Sequence, residues 1–431
     1  MDKNKIGLLA AISIGIGGMV GGGIFAVLGL AVDLSKGGTP VAFLLAGIIA
    51  LITSYSYARL SITYPNKGGT VKFMNVGFGK NIFSGGTNNL LWISYIVMLS
   101  LYSSAFGAYG ASIIKITGNF TVDKHILLST IIILSTLLNY ISFKAVSIAE
   151  SFAVYIKIFI LIIFVIIGFY GLGSSQFISQ LKPENWVGPF KMLSGGMVIF
   201  VAYEGFELIA NAAPNIKNPT KNVPRSYYYS VLFVILLYIL IAIITVGSVS
   251  FAKISTAQEY VLAVAAEPML GKIGFMIIGI TALISTFSAI NVSLYGGSRV
   301  NYELAEDDEI SHEFTTIFWN EPIGLLVTAV LTLVIGNIFN LESISTSGSA
   351  GFLLIFGLVN LVNYKLAKET SSFKVISMAG FLLCMVALVT LMFQQFQTNP
   401  SGAIIGLSII LFSYILEWLF KKWDKTNVQT A

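Results

Sequence analysis

Three ionisable residues stand inside apolar runs of this chain: Lys157 at the end of Ala149-Glu-Ser-Phe-Ala-Val-Tyr-Ile-Lys157, and the pair Glu204 and Glu207 in Val201-Ala-Tyr-Glu-Gly-Phe-Glu-Leu208. A charged residue at mid-membrane depth costs about 2.5–3.5 kcal/mol even on lenient insertion scales, so such residues face a cavity, a partner or a substrate path. Lys157 lies too deep in its run to snorkel comfortably to the interface. Burial disfavours the ammonium form, which makes Lys157 a candidate for proton exchange, with permanent pairing to Glu150 or Glu207 as the alternative. Glu204 and Glu207, three apart, share one face of an intact helix. They suit either a cationic ligand or an internal ion pair with Lys157 or Arg59.

A second kind of chemistry belongs to the backbone. From Ser13 to Phe25 the chain reads Ser-Ile-Gly-Ile-Gly-Gly-Met-Val-Gly-Gly-Gly-Ile-Phe, and five of the seven residues from Gly17 to Gly23 are glycine. Each costs roughly 0.8–1 kcal/mol relative to alanine in a helix interior, so the helix is expected to unwind here. Unwound backbone at membrane depth is tolerated only where it is buried in protein or lines a watery cavity. The other reading is close helix packing through the small-xxx-small pairs Gly17/Gly21 and Gly18/Gly22. A broken helix presents N-terminal amides and a positive dipole end, for which a carboxylate is the natural ligand.

The elements that must position these groups are membrane spans. With 56% hydrophobic and 10% charged residues over 431 positions, the chain cannot make a soluble surface. Apolar runs of 18 or more residues fall at 6–35, 40–64, 82–114, 125–143, 148–172, 191–212, 225–250, 271–302, 323–340, 344–365, 373–396 and 401–420, which predicts twelve transmembrane helices in an all-α integral membrane protein. No cleavable signal peptide is expected, because the first apolar run is too long. Of the 25 Lys and Arg, seventeen fall on the side holding both termini and the even-numbered connections, and seven on the other. The positive-inside rule therefore puts both termini in the cytoplasm. Lys157 is the one base left inside a span, and the formal charge of +5 reads as topology rather than nucleic-acid binding.

A single cysteine, Cys384, allows no intramolecular disulfide, and His125 and His312 are too few and too far apart for a metal site. No cofactor or metal is expected, and little catalytic equipment is visible for an enzyme. The spans containing the glycine run and Glu204/Glu207 each open a set of five, which points to an inverted-repeat transporter with its site at the midplane. The expected units are spans 1–5 in residues 1–172, spans 6–10 in 173–370, and two further spans with a tail in 371–431.

The strings Val20-Gly-Gly-Gly-Ile-Phe25, Ala202-Tyr-Glu-Gly-Phe-Glu207 and Asn215-Ile-Lys-Asn-Pro-Thr-Lys-Asn-Val-Pro-Arg225 resemble the amino acid–polyamine–organocation superfamily. So do Ser285-Thr-Phe-Ser-Ala-Ile-Asn291 and Tyr295-Gly-Gly-Ser-Arg-Val-Asn-Tyr-Glu-Leu-Ala305. The likeness runs over roughly residues 6 to 420. With Lys157 where it stands, the chain looks most similar to the ApcT-type proton-coupled, broad-range amino-acid transporters. The resemblance implies a LeuT-like 5+5 inverted repeat with broken helices 1 and 6 and two additional C-terminal helices. It implies that a substrate carboxylate meets backbone amides at Gly21, Gly22 and Gly23, beside Ile24, and that the ammonium meets carbonyls of both breaks, including the stretch at Ala202. It places Lys157 where sodium-coupled members of the fold hold a cation, donating to carbonyls near Gly15 to Gly18 and to one of Ser285, Thr286 or Ser288.

Tyr203, Phe206 and Phe25 flank the breaks as candidate gates, with packing the commoner role for aromatic residues. Tyr95 and Tyr102 stand in the same position. The acidic run Glu303–Glu313 reads as a solvated face, and Lys421–Lys425 as an interfacial anchor. The expected function is import of amino acids with protons across the plasma membrane by alternating access, with amino acids, protons and lipid as partners and no obligatory protein partner. Exchange of cationic amino acids or polyamines is the alternative within transport, and an uncoupled channel-like or sensory protein the alternative of another class.

Overall fold

The computed structural model describes residues 5–306, 309–310, 312–318 and 321–430; of 142–152, 312 and 423–430 only the backbone is described. The first span is two helices, α1 (Leu8–Met19) and α2 (Gly23–Ser35), bent by 47° across Val20–Gly22. The break falls inside the glycine run, as its helix propensity dictates. α3 (Thr39–Thr63) carries Pro40 in its first turn, where the missing N–H costs nothing, and a short α4 (Thr70–Phe78) follows.

α5 (Ile82–Ile113) starts on a capping box, in which Asn81 accepts from Phe83 N and Ser84 N while Ser84 Oγ accepts from Asn81 N. It is the central post of the molecule, packed by helices on nearly every side, with 94% of its most apolar window buried. α6 (Phe120–Leu172) is 53 residues long. At 1.5 Å per residue a straight helix of that length reaches about 80 Å, more than twice the hydrocarbon thickness of about 30 Å. It therefore supplies two spans, Phe120–Ile141 and Ala153–Leu172. The connection expected at Lys144 is helical backbone rather than a loop.

The sixth expected span is again broken: α7 (Pro189–Val198) and the segment Phe200–Asn215, which contains α8 (Leu208–Ala212), are bent by 53°. α9 (Pro219–Ser248) and the short α10 (Phe251–Thr256) lead to α11 (Val261–Glu306), which kinks at Gly271, a residue with φ of 60°. Between α11 and α12 (Gly324–Ile338) lies a small departure from the all-α expectation, the antiparallel strands β1 (Ile317–Phe318) and β2 (Glu321–Pro322). α13 (Leu341–Lys365), α14 (Lys374–Thr398) and α15 (Pro400–Thr430) complete the bundle.

Among the described residues, nine helices are long and apolar enough to cross a bilayer, or eleven with each bent pair taken as one span. The expected span left over is the ninth, 323–340, which is α12, whose 15 residues extend only about 22 Å.

Two features lie on the face where α1 begins. The N-terminal arm pairs with the linker after α8, Ile6 N donating to Asn215 O at 2.9 Å and Lys217 N to Ile6 O at 2.9 Å. The acidic run is not uniformly solvated, because Glu309 is buried and accepts from Asn88 Nδ2 at 2.8 Å. Asp307 and Asp308 lie outside the described residues, as do the side chains of 423–425 in the expected interfacial anchor.

Candidate functional site

The two breaks interlock. After α7 the chain makes a 3-10 turn over Phe200–Tyr203, becomes extended at Glu204 and reaches Gly205 at φ 112°, a conformation that side chains rarely adopt. A Cβ on Gly205 would sit 2.4 Å from Gly18 C, and one on Gly18 would sit 2.7 Å from Gly205 O. Higher up, a Cβ on Gly23 would sit 2.8 Å from Ala202 Cα. Backbone thus meets backbone at two levels, so the glycines serve close packing and the break together. Gly205→Ala is expected to destabilise the protein by roughly 1–3 kcal/mol through backbone strain alone. A detergent thermal denaturation curve unchanged from wild type would show that the crossing tolerates a side chain.

Unwinding α1 at its end releases carbonyls, and side chains from three other helices take them up, as membrane-buried backbone requires. Lys157 Nζ donates to Gly17 O at 3.1 Å from the second half of α6. Tyr238 Oη of α9 donates to Met19 O at 2.7 Å, and also lies 3.2 Å from Ala202 O of the other break. Ser285 Oγ of α11 donates to Val20 O at 3.0 Å and to Gly21 O. In the second break Ser345 and Ser349 of α13 donate to Val198 O at 2.7 and 2.8 Å, and Ser349 Oγ accepts from Val201 N.

Lys157 and Ser285 therefore reach the broken helix, while the other two expected α11 residues do not show such contacts. Thr286 Oγ1 donates to Ala282 O within its own helix at 2.7 Å. Ser288 Oγ is buried without a hydrogen-bond partner among the described residues. The pairing of Lys157 with Glu150 concerns a side chain outside the described residues.

The amides of Gly22 and Gly23 donate to no group among the described residues, as expected at the start of a helix. The ring of Tyr102 lies over Gly22, so close that a Cβ there would be 2.1 Å from Tyr102 Cδ1. Its hydroxyl donates to Glu204 Oε2 at 3.1 Å. Tyr95, seven residues earlier and on the same face of α5, donates to Glu207 Oε1 at 3.4 Å, while Gly205 N donates to Glu207 Oε2 at 2.7 Å. Both carboxyls are buried, and each is hydrogen-bonded, as burial demands. Among the described residues neither acid pairs with Arg59, whose guanidinium lies over the Tyr55 ring.

Tyr203 and Phe206 are engaged in packing. Tyr203 Oη donates to Phe43 O at 2.8 Å, and Phe206 joins a ring cluster with Tyr57 and Phe356. Phe25 packs edge-on against Tyr109. Ala202 touches Gly23, and Ile24 is buried just above.

Tyr238, Ser345 and Ser349 escaped the sequence reading. The serines had a signal, their i, i+4 spacing in the small-residue stretch Ser343–Gly351. Tyr238 had none, being one of 19 tyrosines.

The protein-family model described as amino acid permease matches residues 6–416. The chain is 34% identical to an uncharacterized protein, MJ0609, of Methanocaldococcus jannaschii, over 99% of this chain and 97% of that one. It is 31% identical to the inner membrane transport protein YbaT of Escherichia coli, over 98% and 97%. It is 23% identical to the branched-chain amino acid permease BcaP of Bacillus subtilis, over 85% and 82%. A bundle of apolar helical spans with two interlocked breaks, matched over nearly its whole length, is a transporter and belongs to the amino acid permease family.

Proposed function

We propose that this permease imports amino acids together with protons by alternating access, from the plasma membrane and with both termini cytoplasmic. The observation that carries the reading is the buried Lys157, whose Nζ donates to Gly17 O where α1 is about to unwind. An ammonium there bonds the first helix to the scaffold and repels a sodium ion at close range. Loss of its proton weakens that tie and lets α1 swing away. In this reading α1–α6 (1–172) and the following five spans (173–370) form the two repeats, with 371–431 appended. Of the expected amides at Gly21, Gly22 and Gly23, that of Gly21 donates to Gly18 O at 3.1 Å, so the substrate carboxylate docks on those of Gly22 and Gly23 once the Tyr102 ring has moved aside, and the ammonium on carbonyls of both breaks. Lipid and protons are its other partners, and no protein partner is required. Uptake into proteoliposomes tests it: accumulation above equilibrium should need an inward proton gradient and no sodium. Accumulation that is indifferent to pH and demands internal substrate would replace symport by exchange.

The buried carboxyls support a second reading, exchange of cationic amino acids or polyamines. Glu204 lies on the break itself, accepts from the Tyr102 hydroxyl and is hydrogen-bonded to the neighbouring Glu207 carboxyl. If it faces a cationic substrate, Glu204→Gln should shift relative uptake from basic toward neutral amino acids by about tenfold, equivalent to 1.4 kcal/mol. An unchanged specificity profile removes the support for this alternative.

A further inference from the structure

Arg59 stands one turn before the end of α3 and is partly buried. Its guanidinium lies over the Tyr55 ring, 5.5 Å from the centroid, yet among the described residues it donates to no acceptor and pairs with no acid. A guanidinium partly withdrawn from water calls for an anion.

The surroundings add positive charge rather than cancel it. Ser61 and Tyr227 share a hydrogen bond of 3.2 Å that packs this end of α3 on the first turns of α9, and Arg59 lies within electrostatic reach of Tyr228. Arg225 is three residues before that tyrosine, on the same face of α9, and Lys221 is one turn earlier; both are exposed and in no ion pair among the described residues. Lys221 occupies the first turn of α9, where the helix dipole disfavours a cation and no acid offsets it. On the other side of Arg59, Tyr55 Oη accepts from Phe373 N at 2.7 Å. That bond brings the exposed Phe373, Lys374 and Val375 at the start of α14 to the same corner. Glu369, in the turn before α14, accepts from Tyr64 Oη and is in no ion pair among the described residues.

Beyond these cations the surface turns apolar. Tyr229, Leu232 and Leu236 continue the exposed stripe of α9 that Lys221 and Arg225 begin, with the i, i+4, i+7 spacing of one helix face. Bases that end a lipid-facing stripe, next to an exposed tyrosine, stand at headgroup level.

We infer that the corner where α3 meets α9 and the start of α14 binds one anionic phospholipid of the leaflet on the side where α1 begins. Its phosphate accepts from the guanidinium groups of Arg59 and Arg225, whose planar forks suit phosphate oxygens. Lys221 and Lys374 add charge, as basic clusters beside spans do at anionic lipid surfaces, and an acyl chain lies along Leu232 and Leu236. An ethanolamine or choline headgroup would bring its own ammonium among these cations. A lipid is favoured over a soluble anion because the cations continue directly into a stripe that faces hydrocarbon.

Native mass spectrometry of the detergent-solubilised protein with added phosphatidylglycerol, phosphatidylethanolamine or phosphatidylcholine of matched chains tests this. One phosphatidylglycerol should stay bound per chain, retained at least tenfold more than either of the others. Arg59→Gln and Arg225→Gln are each expected to lose that preference, and Arg225 is exposed, so its variant should fold whatever Arg59 does for α3. Lys72→Gln, which removes an exposed base of α4 at the same end of the bundle, should retain the lipid as the wild type does. Equal retention of the three lipids, or undiminished preference in both arginine variants, overturns the inference. An equal loss in Lys72→Gln would reduce the effect to general attraction by a basic surface and overturn it too. So would competition by soluble glycerol phosphate as effective as by the lipid, since the corner would then be a small-anion site.

Discussion

Lys157→Ala is expected to bind amino acids with near-normal affinity yet fail to accumulate them in response to an inward proton gradient, with accumulation falling by at least about tenfold. The reasoning starts from place rather than charge alone. Lys157 is 1% exposed, and its ammonium, a three-proton donor, donates to the main chain of α1 at Gly17. The amides of Gly22 and Gly23, proposed to receive the substrate carboxylate, lie more than one turn further along, so removing the lysine should not touch them. Among the described ties to these carbonyls, the one removed is made by a group that can lose a proton near neutral pH when buried. Tyr238 and Ser285 hold neighbouring carbonyls whatever the pH. Lys157→Met, which keeps most of the side-chain volume, separates coupling from packing: it should fold, at a cost of about 1–3 kcal/mol for the Gly17 carbonyl left unsatisfied, and show the same uncoupled uptake. Proton-driven accumulation undiminished in both variants would sink the coupling role.

Gly22→Leu is expected to abolish substrate binding, by at least about 100-fold or 2.7 kcal/mol, while leaving membrane insertion and folding largely intact. The group it strikes is the Tyr102 ring, a side chain able to turn away. The leucine would then occupy the approach to the amides that a carboxylate uses. Gly23→Leu should be harsher, because the atom in its way is Ala202 Cα, which belongs to the main chain of the other break. Loss of binding accompanied by a lowered melting temperature is the expected pattern there. Titration of both purified variants with the amino acid that most stabilises the wild type, followed by melting temperature, distinguishes the two. If Gly22→Leu is as badly misfolded as Gly23→Leu, the glycine run serves helix packing and the carboxylate reading loses its ground.

The parts of this site that were legible in the sequence share a cause, which is that each is locally anomalous. Seven residues with five glycines, two acids in a run of apolar residues, and a lysine amid Val-Tyr-Ile-Lys-Ile-Phe stand out against a lipid background. What could not be read are partners whose meaning lies in a distant contact. Tyr238 caps a carbonyl 219 positions away and looks like any other membrane tyrosine. Glu309 sits in an acidic run that resembles a solvated surface, and only Asn88, 221 positions earlier, reveals its burial. The spans were legible from hydropathy, but the passage of helix through the Lys144 region was not. Continuity of helical backbone depends on what surrounds the joint, and hydropathy records only where lipid can be faced.

The short pairing of Ile6 with the Asn215–Lys217 linker carries an evolutionary consequence. Both of its bonds are main chain to main chain, so substitution of almost any residue at these positions leaves them intact. Proline at position 6 or 217 is an exception, since it lacks the N–H donor that each bond uses. The tie that closes this end of the bundle is therefore nearly invisible to mutational drift. Lineages can vary the amino acids of the N-terminal arm widely and still inherit the same fastening, whereas a one-residue insertion or deletion between Ile6 and α1 would shift its register. Selection at this point acts on length rather than on composition.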